Sequence, residues 1–391
     1  MKIFIAYIVF TILLVLYSYT QIDLGLTIAR SELLQQMIRG FQEIGYFQRP
    51  LAASLFALLL VGMYAFYIVF LVRVWQKKIS LRSLWKIFFV TAGILFFSYN
   101  AFSHDLFNYI FDAKIVTYYH QNPYEHKALD FPNDPMLSFM HWTHRVYPYG
   151  PVWLGITVPL SFVGFSYFLP TLFLFKGLMV GSFLGCLYFI HKIMQKITPQ
   201  KEAIALAFFG LQPLILIEAL ISAHLDIVMV CMGLAAFWFL IEKRYLWAFL
   251  LLFLSIGVKF ATVFLLPIVI VVWIWDKQKK KMRWEKILYA SLLLMTLAVA
   301  AMAWSRELYP WYLISALSFA ALLSWRFSIL IASSALSFFI LLIYLPYLYL
   351  GTWDPPVPQV RLWIYIVGFV CALVGGYIGM LLDKKYQTTE R

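Results

Sequence analysis

Asp105 and Asp112 stand seven residues apart in SHDLFNYIFDAKIVTYYHQNPYEHK (103–127), directly after a run of almost pure hydrocarbon. Seven residues make two helical turns, so on a helix both carboxylates share one face with Tyr109 between them. Ser103 is placed to cap that helix. A carboxylate so held can take a proton from an alcohol; the plainer reading is that one of the two only caps a helix at an interface. Three further clusters carry charge inside apolar sequence. His224 and Asp226 lie in LISAHLDIVM, with Glu218 one to two turns earlier; Lys259 lies in SIGVKFATVF; Arg306 lies beside Glu307 in SRELYPWYLI. Ionisable groups in such runs are expensive and mark function by default. The bland alternatives are a hairpin tip touching water, a lysine snorkelling to the headgroups and an interfacial Arg306–Glu307 pair. Cations fixed beside carboxylates can stabilise charge growing on a phosphate leaving group.

The elements that must position these groups are apolar throughout. Of 391 residues, 63% are hydrophobic and only 13% charged, and mean hydropathy is +0.83. Long continuous apolar runs imply an all-α, polytopic membrane protein; a transmembrane barrel would show alternation. About twelve transmembrane helices are expected, near 3–20, 51–72, 84–101, 166–191, 203–217, 226–241, 245–258, 260–275, 287–304, 312–325, 327–350 and 362–382. Several are short, and the pairs 203–217/226–241 and 245–258/260–275 read as tight hairpins. Residues 151–163 are too short to span and read as a re-entrant or interfacial helix. The first run reads as a retained membrane helix, since no small-residue cleavage site follows it. Leu33, Leu34, Met37, Ile38 and Phe41 recur at helical spacing, which predicts an amphipathic helix lying on the membrane within the 21–49 segment.

Charge sets the expected topology. Most Lys and Arg fall in 73–86, 192–201, 242–244, 276–286 and 383–391, with Lys2 and Arg326. The opposite side holds only Arg30, Arg39, Arg49, Lys114, Lys127, Arg145, Lys259, Arg306 and Arg361. The positive-inside rule then puts both termini in the cytoplasm of a multi-pass plasma-membrane protein, with the four clusters on the external face. The net charge of +13 is thereby topology rather than a nucleic-acid signal. No GxxxxGK[ST], GxGxxG or HExxH motif occurs, and Cys186, Cys231 and Cys371 all lie in apolar runs, against a disulfide framework. The chain divides into an N-terminal hairpin (1–83), a core with the external loop 102–150 (84–315), and C-terminal helices with a short tail (316–391).

Taken in order, these motifs resemble the integral-membrane GT-C glycosyltransferases, specifically the bacterial and archaeal mannosyltransferases that use a polyprenol-phosphate sugar. The resemblance rests on Asp105, Tyr109, Asp112 and Asn122-Pro123-Tyr124, then Tyr147-Pro148-Tyr149-Gly150-Pro151. It continues through Gln212-Pro213-Leu214, Glu218 and His224-Leu225-Asp226 to Lys259 with Leu266-Pro267, and Arg306 with Pro310-Trp311-Tyr312-Leu313. The chain departs from the family pattern at His104, Leu225 and Tyr309. The resemblance implies a GT-C-like fold and transfer of a hexose, mannose in that family, from a polyprenyl-phosphate sugar to a glycan or lipid acceptor. It implies Asp105 as general base and Asp112 as orienting group. Lys259, Arg306 and His224 would bind the donor phosphate. Asp226, Glu218, Tyr109, Asn122, Tyr124 and Tyr149 would bind sugar or acceptor. Direct displacement would invert the anomeric carbon. No cofactor is expected. His104, Asp105, His224 and Asp226 could hold a divalent ion, but their spacing is no metal motif. The competing class is a transporter or flippase for a lipid-linked saccharide; matched halves with broken helices would mark it, and the acidic motif occurs once.

Overall fold

The computed structural model describes residues 2–26 and 31–389, so Arg30 lies outside the described residues. Every regular element among them is helical. In chain order the α-helices are α1 (Lys2–Ser18), α2 (Glu32–Gln42), α3 (Arg49–Trp75), α4 (Leu81–Phe96), α5 (Asp105–Thr117), α6 (Pro151–Val163), α7 (Phe168–Ile197), α8 (Glu202–Gly210) and α9 (Pro213–Ile215). They continue with α10 (Asp226–Ile241), α11 (Tyr245–Val258), α12 (Leu266–Lys277), α13 (Trp284–Ser305), α14 (Leu313–Ala321), α15 (Phe327–Leu341), α16 (Tyr344–Leu350) and α17 (Val357–Thr389).

Local chemistry sets many of their ends. Pro50 and Pro151 sit in the first turns of α3 and α6, where a missing N–H costs nothing. The Ser80 hydroxyl accepts the Ser83 N–H and caps α4. The amphipathic segment folds as α2, with Leu33, Leu34 and Met37 exposed.

The apolar runs read from the sequence all fold as helices, of unequal length. Seven are long and apolar enough to cross a membrane alone: Lys2–Gln21, Arg49–Trp75, Phe168–Ile197, Phe260–Lys277, Trp284–Ser305, Phe327–Leu350 and Val357–Tyr386. An eighth is the pair Pro199–Gly210 and Pro213–Ile221, bent by 49°. The remainder, including Pro151–Val163, Asp226–Ile241, Tyr245–Val258 and Pro310–Ala321, are shorter.

The short and broken helices occupy the middle of the molecule. All of α8 except half-buried Ala203, the 213–225 segment and the first turns of α10 are buried, whereas long helices such as α3 and α17 expose apolar faces. The break has a local cause. Pro213 forces Gln212 into an extended conformation (ψ 117°), and the chain then widens into a π-helical turn at Leu216–Ile221. Ala223 next takes a left-handed conformation (φ 57°), which a side chain with a Cβ adopts only at some cost. These two irregularities turn 218–226 back toward α5.

Two further contacts fix the surroundings. A Cβ on Gly150 would meet the Gly257 carbonyl oxygen at 2.0 Å, and one on Gly257 would meet Val152 at 2.4 Å. The loop before α6 therefore lies directly on the end of α11, with Gly150 N–H donating to Val258 O. Lys176, buried in α7, donates to the carbonyl and hydroxyl oxygens of Ser98 (2.7 and 2.9 Å), pinning the turn ahead of α5.

Candidate functional site

The helix carrying both aspartates starts at Asp105, one residue later than a Ser103 cap would place it. His104 is the cap position and makes no side-chain cap bond; the Ser103 hydroxyl accepts the Asp105 N–H instead. The predicted two-turn spacing holds, and Asp105 and Asp112 both lie on α5.

Asp105 faces the 218–226 turn. Its Oδ2 lies 3.5 Å from His224 Nδ1, and Glu218 Oε2 lies 3.3 Å from His224 Nε2. These are ion-pair contacts; neither ring nitrogen has a well-aligned hydrogen bond within the protein. His224 and Glu218 are fully buried, and the Asp105 side chain keeps 17% exposure. Burial works against the imidazolium, but the two carboxylates outweigh it and push His224 up to about 9. Burial would push Asp105 up as well, yet His224, Lys259 and Arg145 together hold its carboxyl below the usual range. The arrangement sets an imidazolium between two carboxyl groups, with Asp105 the member that reaches solvent. The Tyr344 hydroxyl donates to the other Glu218 oxygen at 2.9 Å.

Lys259 follows α11 and clasps Asp226 at the start of α10, with Nζ 2.7 and 2.9 Å from the two carboxylate oxygens. It also lies over the Tyr312 ring, 4.8 Å from its centroid. The Pro-Trp-Tyr turn reaches the same place. Trp311 stacks on His224 at 4.0 Å, and Tyr309 stacks on Trp311 at 4.5 Å. Arg306 does not pair with its neighbour. Glu307 instead binds Arg361 of α17 at 2.9 Å, and the Tyr365 hydroxyl of α17 donates to Leu308 O. Arg306 is left exposed, with no ion pair among the described residues, and its charge and that of Asp105 both act on Tyr309.

Asp112, two turns further along α5, sits in a cleft with Asn108, Met140, Trp142, Arg145 and Tyr149. Dense surroundings push its carboxyl up to about 8; Arg145 opposes that shift and the Asp105 charge adds to it. Tyr149 connects the two acids. It feels both charges, and Tyr109 beside it feels those of Asp105 and Asp226. Tyr109 packs edge-on against Tyr149 and Trp153 of α6, 5.1 and 5.2 Å between centroids.

The structure thus brings together Asp105, Tyr109, Tyr149, Glu218, His224, Asp226 and Lys259, with Arg306 at the rim. Asn122 and Tyr124 lie beside this group rather than in it. Asn122 bonds locally, to Glu125 and to the Tyr124 N–H, while Tyr124 packs on Tyr147 and its hydroxyl donates to Tyr149 O at 3.4 Å. They shape the loop between α5 and α6. Sequence reasoning missed Arg145, Trp311 as a ring on His224, Tyr344 and Arg361. The Pro-Trp-Tyr motif was the available signal for Trp311; the others had none. His104, named with Asp105, His224 and Asp226 as a conceivable ion-binding set, turns away from that group and binds Asp23, with Nε2 2.8 Å from Oδ1.

A model of the family described as alpha-(1->6)-mannopyranosyltransferase, N-terminal domain, matches residues 9–275. No curated protein and no solved structure matches the chain.

Proposed function

The chain belongs to the alpha-(1->6)-mannopyranosyltransferase family, and we propose that it moves mannose from a polyprenyl-phosphate sugar to a glycan or lipid acceptor. Membership makes it a glycosyltransferase; the donor, the face of the membrane and the residue roles are our reading. What supports that reading is one juxtaposition. Asp105, a partly open carboxylate, lies against buried His224, whose ring carries Trp311, five residues beyond the unpaired Arg306.

In this reading Asp105 Oδ accepts the acceptor hydroxyl proton as that oxygen attacks the anomeric carbon. The bond from that carbon to the phosphate oxygen breaks, and its electron pair leaves on polyprenyl phosphate. Arg306 and Lys259 face the growing phosphate charge. Lys259 is already half-neutralised by Asp226, which leaves Arg306 the stronger attractor. Asp112, largely protonated at pH 7 with its carboxyl near 8, donates a hydrogen bond to a sugar or acceptor oxygen. Tyr109 and Tyr149 hold the two acids in register. A single displacement with one base inverts the anomeric centre. In this reading the site faces outward and both termini lie in the cytoplasm, which the excess of Lys and Arg in the opposite loops supports.

The test is purified protein in lipid nanodiscs with radiolabelled polyprenyl-phosphate mannose and a mannoside acceptor. Release of polyprenyl phosphate with formation of a new mannoside is expected. Intact donor reaching the opposite leaflet of proteoliposomes, with no glycoside formed, would replace this reading with a flippase.

A further inference from the structure

Three groups outside the proposed site meet at the external end of α1. Asp23 follows the first span, His104 caps α5, and His141 lies in the 118–150 loop; they come from segments 81 and 37 residues apart in sequence. One ligand atom from each falls within 4.8 Å of the other two. His104 Nε2 is 2.8 Å from Asp23 Oδ1, and the His104 and His141 rings lie parallel, 3.8 Å between centroids.

We infer that Asp23, His104 and His141 form a site for a divalent transition-metal ion of the zinc class. Two imidazoles and one carboxylate are a donor set that suits Zn²⁺, whose three-ligand sites keep a fourth position for water. Tetrahedral ligand atoms stand about 3.4 Å apart at ordinary zinc distances; because imidazole lone pairs lie in the ring planes, the exposed His141 ring turns out of the stack to meet the ion. The ion takes the place of the proton that joins His104 to Asp23.

The outer shell is already built. The Tyr99 hydroxyl donates to Asp23 Oδ2 at 2.6 Å, fixing the carboxylate with Oδ1 turned to the imidazoles. Gln42 Nε2 donates to the carbonyls of Ile22 and Asp23 (3.3 and 3.1 Å), holding the backbone that presents it. Asp23 is buried, His104 partly so and His141 exposed, which gives an ion an entry path. Bound there, the ion ties the end of α1, the cap of α5 and the external loop together one residue from Asp105. The site is independent of the roles proposed for Asp105 and its neighbours.

The experiment uses the full chain in detergent, stripped with a chelator and titrated with Zn²⁺ against a chromophoric competitor, with bound metal counted by mass spectrometry. One Zn²⁺ per chain is expected. His141→Ala, chosen because that ring is exposed, and Asp23→Asn should each weaken binding at least tenfold. His126→Ala and His144→Ala should leave it unchanged. Zn²⁺ should raise the melting temperature of the wild type and not of His141→Ala. Equal zinc binding by wild type and a folded His141→Ala, or loss of binding in the His126 and His144 controls, would overturn the assignment.

Discussion

The start and the middle of α5 carry the same side chain two turns apart and do opposite things with it. Asp105 meets a buried imidazolium and two further cations and is held as an anion. Asp112 meets a dense cleft with one arginine and is pushed toward its neutral form. Residue type and spacing fix which face a carboxylate occupies; the charges arriving from other helices fix its protonation. A pair of acids separated in this way can divide labour, one accepting a proton and one donating a hydrogen bond.

The sharpest way to break the comparison is Asp105→Asn. Loss of a general base should lower turnover by about 10²–10⁴-fold while donor binding persists, read as polyprenyl phosphate release alongside a donor-binding titration. Near-normal turnover would move the base elsewhere.

His224→Ala should rank next. It leaves Glu218 and Asp105 facing each other without their cation, and breaking such a buried set costs about 3–5 kcal/mol, read as a fall in melting temperature. The pH dependence carries the same information. His224 sits near 9 in the folded protein, above its ordinary 6.5, so its contribution is complete below 6.5 and is lost as pH rises through 9. The variant should lack that alkaline loss.

Arg306→Ala should raise the donor KM by about tenfold, in line with one charge-assisted contact, and leave the acceptor KM in place. It is a cleaner probe than Lys259→Ala, which also strands the buried Asp226; equal effects on both substrates would count against phosphate recognition.

The smallest change should come from Asp112→Asn. The amide mimics the neutral acid, so near pH 7 the effect should stay within about threefold. Because folding raises the Asp112 value, the folded chain binds more protons than the unfolded one between about pH 4 and 8, and stability falls across that window. The variant should flatten that part of the stability curve. A large loss at neutral pH would mean that Asp112 works as an anion, and the contrast along α5 would dissolve.

Much of this was legible before any coordinates. Asp105, Glu218, His224, Asp226 and Lys259 were readable as candidates because a charge in an apolar run has few places to go. The helical class followed from the same runs. The contacts that set chemistry were less visible. Nothing in the pattern says that Pro213 and Ala223 together swing His224 onto Asp105, since that depends on a wide turn and a left-handed residue without glycine. Arg145 reaches the α5 acids from an irregular loop, where no periodicity links one segment to another. Asn122 and Tyr124 were harder to read for the converse reason. An Asn-Pro-Tyr run is an apt binding motif and an equally apt turn; here Asn122 bonds within the turn, while Pro123 and Tyr124 tie it to Tyr147 and Tyr149.

The grip of α17 on Glu307 has an effect beyond anchoring. By drawing that carboxylate toward Arg361, the last helix keeps Arg306 from being quenched by its own neighbour. Truncating the chain before residue 357 would free Glu307 to neutralise Arg306, so a cut some fifty residues downstream would silence a cation it never touches. The residues concerned also lie past 275, where the family match ends. Chimaeras between relatives must therefore inherit 306–312 and the final helix from the same parent.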